Sequence, residues 1–308
     1  MLNRPQPYDG VPSGRGGGAP REPGRLRGPR VQPWQARGIR PSRPQLGFTL
    51  AEIAIVLLIV GFLLGGIMAM ITSQTEQRNW SDTQSRLEAA RDAILGYALA
   101  NGRLPCPANS TSAGAEVPAG GGLCGTGTTQ DYYGGVVAGV TYGLLPAVTI
   151  GYQPVDSQGF ALDAWGNRIR YAVSRVNTGV LGSANFTNAA NLKTSGISVL
   201  PNDLVVCASA AGTSAGPPGS CGAVAANSVT SQKTVLAVLY SPGKNGRAPI
   251  TLGADEAANE NRAGTNNAVF VSHPPAPAGA VGGEFDDLVL WISVGTLYAK
   301  LIAAGVLP

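Results

Sequence analysis

Histidine is almost absent: the 308 residues include a single one, His273, in the run Ser272-His-Pro-Pro275. No G-x-S-x-G turn accompanies it, so the chain lacks the usual sequence marks of a nucleophilic triad. Its four cysteines, Cys106, Cys124, Cys207 and Cys221, contain no C-x-x-C spacing, which removes the common zinc and dithiol redox patterns. The glycine-rich stretch Gly120–Gly127 is not followed by the lysine and serine or threonine of a phosphate loop. Charge is scarce too, at 13 % of residues, and no basic stripe interleaved with aromatics follows position 47. A nucleic-acid site in the main domain therefore has no support. No enzyme constellation emerges, and the chain is read as a non-enzyme.

What charge there is lies unevenly. Residues 1–47 hold nine Arg against two acids, a net +7, whereas the remainder carries a net −3. That first stretch is rich in Pro, Gly and Arg, as in Arg21-Glu-Pro-Gly-Arg25, and has no apolar period that could offset the entropy of folding. It reads as a disordered basic leader.

Phe48 to Ile71 then runs 24 residues with one ionisable group, Glu52, long enough to cross a bilayer as a helix. The arginines on its N-terminal side predict a cytoplasmic leader and a translocated C-terminal part. A secretory signal fits less well, since its apolar core is only about 7–15 residues and is followed by an A-x-A type site, which Met68-Ala-Met70 does not match. Beyond the span, Trp80, Leu87, Ala90, Ile94 and Tyr97 recur at helical steps, and Asn101-Gly102 with Pro105 supplies a stop. One helix from 48 to about 100 is expected, its halves being 48–72 in membrane or filament core and 73–101 amphipathic.

Residues 102–308 alternate short β-branched runs with Gly, Pro, Asn and Ser clusters. Expected strands are 169–173, 204–208, 234–240, 268–271 and 288–292, with long loops at 109–129 and 209–230. The cysteines form two local pairs, so disulfides Cys106–Cys124 and Cys207–Cys221 are expected, each closing a loop in an oxidising compartment. Four buried thiols are the alternative, cysteine being a common core residue.

Gly47-Phe-Thr-Leu-Ala-Glu52, opening an apolar helix, resembles the processing site of type IV prepilins and of type II secretion pseudopilins. The resemblance covers about 25 residues and implies that a prepilin peptidase cuts between Gly47 and Phe48 and methylates the new amine of Phe48. It also implies that Glu52 pairs with the freed amine of a neighbouring subunit during assembly. A carboxylate inside an apolar span is costly and asks for a partner, which agrees with that role. The alternative is an ordinary anchor whose Glu snorkels to water. The leader is longer than is usual in this family, and no proline kinks 48–100; Gly61, Gly65 and Gly66 are the weak points of the helix.

A second, weaker resemblance joins Asp163-Ala-Trp-Gly-Asn167, Ser241-Pro-Gly243 and Asp286-Asp287 ahead of Trp291 to the succession in major pseudopilins. It implies calcium as cofactor, held by Asp286 and Asp287 with backbone help near Ser241, since calcium takes six to eight oxygens. Lys244 stands where an opposing cation would weaken such a site. The plain alternative is an Asp pair capping a turn. Trp165 and Trp291 are expected in the core.

The resemblance implies an α+β, pilin-like fold: a long N-terminal α-helix packed on a small antiparallel β-sheet with long loops. It further implies a structural subunit, minor or specialised, of a type IV pilus or type II secretion pseudopilus, single-pass in the bacterial inner membrane with a periplasmic C-terminal domain. Its partners would be the peptidase, other pilin or pseudopilin subunits and the inner membrane. The competing reading is a membrane-anchored periplasmic binding or adhesive module that does not polymerise.

Overall fold

The computed structural model describes residues 47–175, 186–198, 200–246, 252–261 and 267–307, without the side chains of 66–73. The chain divides into two compact units, Met1–Leu58 and Ile59–Pro308. In the first, the described part is Gly47 to Leu58, where helix α1 (Leu50–Asn101) begins. Its Thr49-x-x-Glu52 opening is a capping box: Glu52 N–H donates to Thr49 Oγ1 at 3.2 Å, and Thr49 N–H donates to Glu52 Oε2 at 2.9 Å.

Within the second unit, the later turns of α1 bury Leu87, Ala90, Ile94 and Ala98, spaced three and four apart. Each large apolar side chain so buried contributes about 1.5–3 kcal/mol. They join one core with Tyr171, Leu239 and Ile292. Polar ties fix the helix further: Ala164 N–H donates to Thr83 Oγ1 at 3.0 Å, and Arg86 Nη1 donates to Leu162 O and Asp163 O at 3.0 and 2.8 Å. The helix ends where Gly102 takes φ +65° and its N–H closes on Ala98 O at 2.8 Å.

The central sheet holds β3 (Arg170–Val173), β5 (Val235–Ser241) and β7 (Leu288–Ser293), all antiparallel in the order β3-β5-β7. Every residue of β5 is buried, as its middle position and its Val-Leu-Ala-Val-Leu-Tyr run require. Two further pairs stand apart. β1 (Gly135–Val137) and β2 (Val140–Tyr142) make a short hairpin, whereas β4 (Val205–Cys207) and β6 (Val269–Val271) pair parallel, Val206 opposite Phe270. Between these lie α2 (Thr129–Tyr133), α3 (Ala147–Ile150), α4 (Ala189–Ser195) and α5 (Ala254–Glu260). The described chain closes with α6 (Val294–Ala303), capped by Ser293 Oγ, which accepts from Thr296 N–H at 3.1 Å.

This α+β arrangement corrects the pilin-like fold expected above. A single small antiparallel sheet was expected; the described strands instead form three separate sheets, one of them parallel. The physical reason is that β4 and β6 are separated by the cystine loop, β5 and α5, and a parallel partnership at that distance leaves no local sequence signal. Nor is any helix among the described residues long and apolar enough to cross a membrane. The described apolar run at the start of α1 reaches Gly65, and the described side chains resume with the polar run Gln74 to Asn79. The expected 48–72 span falls in part, at 66–72, outside the described side chains, as does the leader up to 46.

Candidate functional site

Gly47 lies in open space: a Cβ built on it would meet nothing within 4 Å, and its φ is not in the left-handed range. Among the described residues, nothing in the fold demands glycine there. Phe48 and the large apolar residues of the first described turns, Leu50 to Leu58, are exposed, and so are Ile59, Val60 and Phe62 to Leu64 in the second unit, all between 42 and 89 %. A helix apolar on every side has no polar face to give to water. Glu52 points its carboxylate at the local cap, also accepting from Thr49 Oγ1 at 2.9 Å, and reaches no other described residue. The capping box was visible in the sequence as T-x-x-E and gives Glu52 a local role besides any assembly role.

The four cysteines stand as two cystines, Cys106–Cys124 and Cys207–Cys221, with S–S 2.05 and 2.03 Å. The loop closed by the first carries Glu116, which forms a buried ion pair with Arg103, just ahead of Cys106. Arg103 Nη2 donates to Glu116 Oε1 at 2.6 Å and Nη1 to Oε2 at 2.9 Å, while Cys106 N–H adds a bond to Oε2 at 3.0 Å. Burial pushes the Glu116 carboxyl up, but the Arg103 guanidinium and the Cys106 N–H outweigh it and hold it below the usual range. Burial and the adjacent Glu116 push the Tyr97 phenol up to about 12.

At the far end, Asp163 organises its turn. Its Oδ1 accepts from Trp165 N–H at 2.9 Å and Asn167 N–H at 2.7 Å, and its Oδ2 accepts from Ser241 Oγ at 2.6 Å. Burial raises the Asp163 carboxyl against these donors. Trp165 sets its ring edge-on to Trp80 at 6.2 Å, and both Trp165 and Trp291 are partly buried against the core.

Asp286 and Asp287 do come together, and a third acid that sequence reasoning missed joins them: Glu256, on α5, offers an oxygen within 4.8 Å of theirs. Its only sequence signal was acidity in the first turn of a short helix, which reads as ordinary dipole complementarity. Asn245 Nδ2 bridges both Glu256 oxygens at 2.9 and 3.0 Å, and Asn259 Nδ2 donates to Asp287 Oδ2 at 2.8 Å. Asp286 Oδ2 accepts from the N–H groups of Lys244 and Asn245, whereas its buried Oδ1 has no hydrogen-bond partner. That oxygen presses on Gly243, where an added Cβ would lie 2.1 Å away and φ is +60°, so only glycine fits. The Lys244 ammonium, expected to oppose a metal, is bound by Glu76 instead.

Three hard oxygen donors, one of them unpartnered, suit calcium in chemistry, with the remaining ligands left to backbone or water. Calcium bound there would neutralise clustered charge. The Ser241 hydroxyl does not turn to this cluster, because it holds Asp163.

Burial and then Glu256 push Asp286 from 3.8 up to about 6; burial, ahead of its neighbours' charge, holds Asp287 well above the usual range and also raises Glu256. These folded values exceed the unfolded ones, so the folded state holds more protons: the Asp286 contribution to stability falls as pH rises from about 4 through about 6, and Asp287, held higher still, extends the fall above that. In a chelator, the melting temperature of the unaltered chain should drop relative to Asp286→Asn across that window, and calcium should restore it at pH 7. A melting curve that tracks the variant at every pH, with or without calcium, would rule out the charged cluster.

No family model, curated protein or solved structure matches the chain.

Proposed function

We propose that this chain is the precursor of a filament subunit of the type IV pilus or type II secretion pseudopilus kind, cut between Gly47 and Phe48 by a prepilin peptidase. Before cutting it is held at the bacterial inner membrane with its cystine-linked part on the periplasmic side; afterwards the Phe48–Leu64 segment is covered by the same segment of neighbouring subunits.

The observation that carries this reading is the exposed apolar surface of that segment. Burial of apolar area is worth about 25 cal/mol per Å², so a helix start that is apolar all round gains most where helices enclose it on every side. The free space around Gly47 adds to it, since the glycine answers to no need of the fold and suits a protease that must grip an extended chain. The partners are therefore the peptidase, other pilin or pseudopilin subunits and the inner membrane.

Two cysteines introduced along the exposed segment, at Ala54 and Leu64, test polymerisation. With a thiol cross-linker, a filament yields a ladder of covalent oligomers. A membrane-anchored binding or adhesive module that never polymerises yields monomers and occasional dimers, and that pattern would defeat the proposal.

A further inference from the structure

β7 ends the central sheet, and its side away from β5 pairs with no described strand. The alternation of the ladder shows which groups are left over. Tyr171 N–H donates outward from β3 to Gly143 O at 2.9 Å, whereas Ser174 N–H donates inward to Leu236 O at 2.8 Å. In β5, then, Leu236, Val238 and Tyr240 turn to β3, and Ala237 and Leu239 turn to β7, where they face Ile292 and Leu290. Val294 N–H keeps the same alternation, donating to Thr234 O at 2.9 Å. The backbone N–H and C=O groups of Val289 and Trp291 therefore point away from the sheet, and no described residue bonds them. Natural sheets blunt such edges with charge, proline or a bulge. Leu288-Val-Leu-Trp-Ile-Ser293 has neither charge nor proline, and the irregularity in its pairing falls at the far end, opposite Val235 and Ala237. Val289, Leu290 and Trp291 are only half-buried, so the edge is within reach of solvent.

A cavity of about 240 Å³ runs beside it. Its walls include the consecutive residues 287–290 and, from α1, Trp80, Leu87 and Glu88. Successive strand side chains point to opposite faces, so a cavity touched by all four residues lies along the strand's side rather than over one face. β5 occupies one side, which leaves the free edge. Trp80 also lines a second cavity of about 240 Å³, where Glu76, Glu284 and Asp286 stand against Lys244. With the exposed Glu88, the two cavities carry an excess of acid.

An added strand supplies the donors and acceptors that Val289 and Trp291 lack, and the cavity beside them selects its side chains: an aliphatic one against Trp80 and Leu87, and a cation towards Glu88. A second copy of this chain fits less well, because its own β7 edge brings the same acids against these. We propose that the open edge of β7 takes an extended basic peptide segment of another protein as a fourth strand. This goes beyond the filament reading and does not depend on it.

The test uses the full-length chain in a neutral detergent and fluorescein-labelled Lys-Val-Lys-Val-Lys-Val-Lys amide, followed by anisotropy. The peptide should bind saturably, and its Glu-for-Lys version about tenfold or more weakly. Two further peptides carry N-methyl groups on every valine or on every internal lysine. Residues of one parity turn their N–H groups to one edge of a strand, so one of these peptides should bind like the parent and the other about tenfold more weakly. Val289→Pro removes an edge N–H that β5 does not use and should weaken the parent peptide about fivefold. Should Val289→Pro fail to fold, the comparison of the two N-methylated peptides on the unaltered chain still decides. Absence of binding, an acidic peptide bound as tightly as the basic one, or equal effects of the two methylation patterns would overturn the proposal. So would a dimer of the unaltered chain in sedimentation that Val289→Pro abolishes, since the edge would then belong to a second copy.

Discussion

Glu52→Gln is expected to be cut at Gly47–Phe48 as efficiently as the unaltered chain, yet to enter sheared filament fractions about tenfold less well. The choice of glutamine matters. Thr49 and Glu52 form a capping box, and Gln at this third helical position can make the same bonds, so the helix start survives while the charge is lost. What disappears is the anion available to a neighbour's freed amine, and a tenfold loss corresponds to about 1.4 kcal/mol of pairing. Glu52→Leu removes cap and charge together and should assemble no better than Gln. Gly47→Leu fails earlier: it leaves a full-length precursor, because the protease loses its side-chain-free residue while the fold loses nothing, a Cβ at Gly47 meeting only open space. If Glu52→Gln assembles like the unaltered chain, Glu52 acts as a cap alone.

Arg103→Met is expected to destabilise the second unit by about 3–5 kcal/mol, the cost of leaving a buried carboxylate without its cation. The side chains of Arg103 and Glu116 are 7 and 4 % exposed, and the pair is two-pronged. Chemical denaturation of the chain, read by tryptophan fluorescence, measures the loss. The double variant Arg103→Met/Glu116→Leu should recover most of it, since a buried pair replaced by apolar groups of similar volume is often neutral or better. Because the Glu116 carboxyl is held below its ordinary range, the pair's contribution is present above the unfolded value and is lost as pH falls through the folded one. A double variant no more stable than the single would mean that the pair organises the Cys106–Cys124 loop through its bonds to Cys106 N and Gly120 N rather than through charge.

Local features were the legible ones. The cysteine pairs could be read because each closes a short loop, at separations of 18 and 14 residues. Strands such as Val235–Ser241 and Leu288–Ser293 lie within two residues of their expected positions, their apolar β-branched runs being bounded by Gly, Pro and Asp. Helix α6 went unread because its Val-Gly-Thr-Leu-Tyr start continues an apolar strand with no break except Ser293, which becomes a cap only once the chain turns. The pilin-like fold class failed because the motif that suggested it covers the start of one helix and says nothing of which strands pair.

What sequence reading missed in the sites depends on contacts between distant residues. Arg103 and Glu116 are two separate charges in the sequence that meet, buried, only in the folded chain. Glu256 reaches Asp286 and Asp287 from 30 residues away, and Asp286 N–H donates to Glu256 Oε1 at 3.1 Å. Lys244 could be placed near the acids by sequence, but not its ammonium, which Glu76 claims from α1. In each case the deciding interaction joins separate elements, where spacing along the chain carries no information.

The most direct test of the central claim is the intact mass of the mature chain after coexpression with a prepilin peptidase. Loss of residues 1–47 and a gain of one methyl group on the Phe48 amine is the predicted result. A chain of unchanged mass, or one whose terminus lies beyond Ile71, would contradict it, because either outcome leaves no processed apolar helix with which to build a filament.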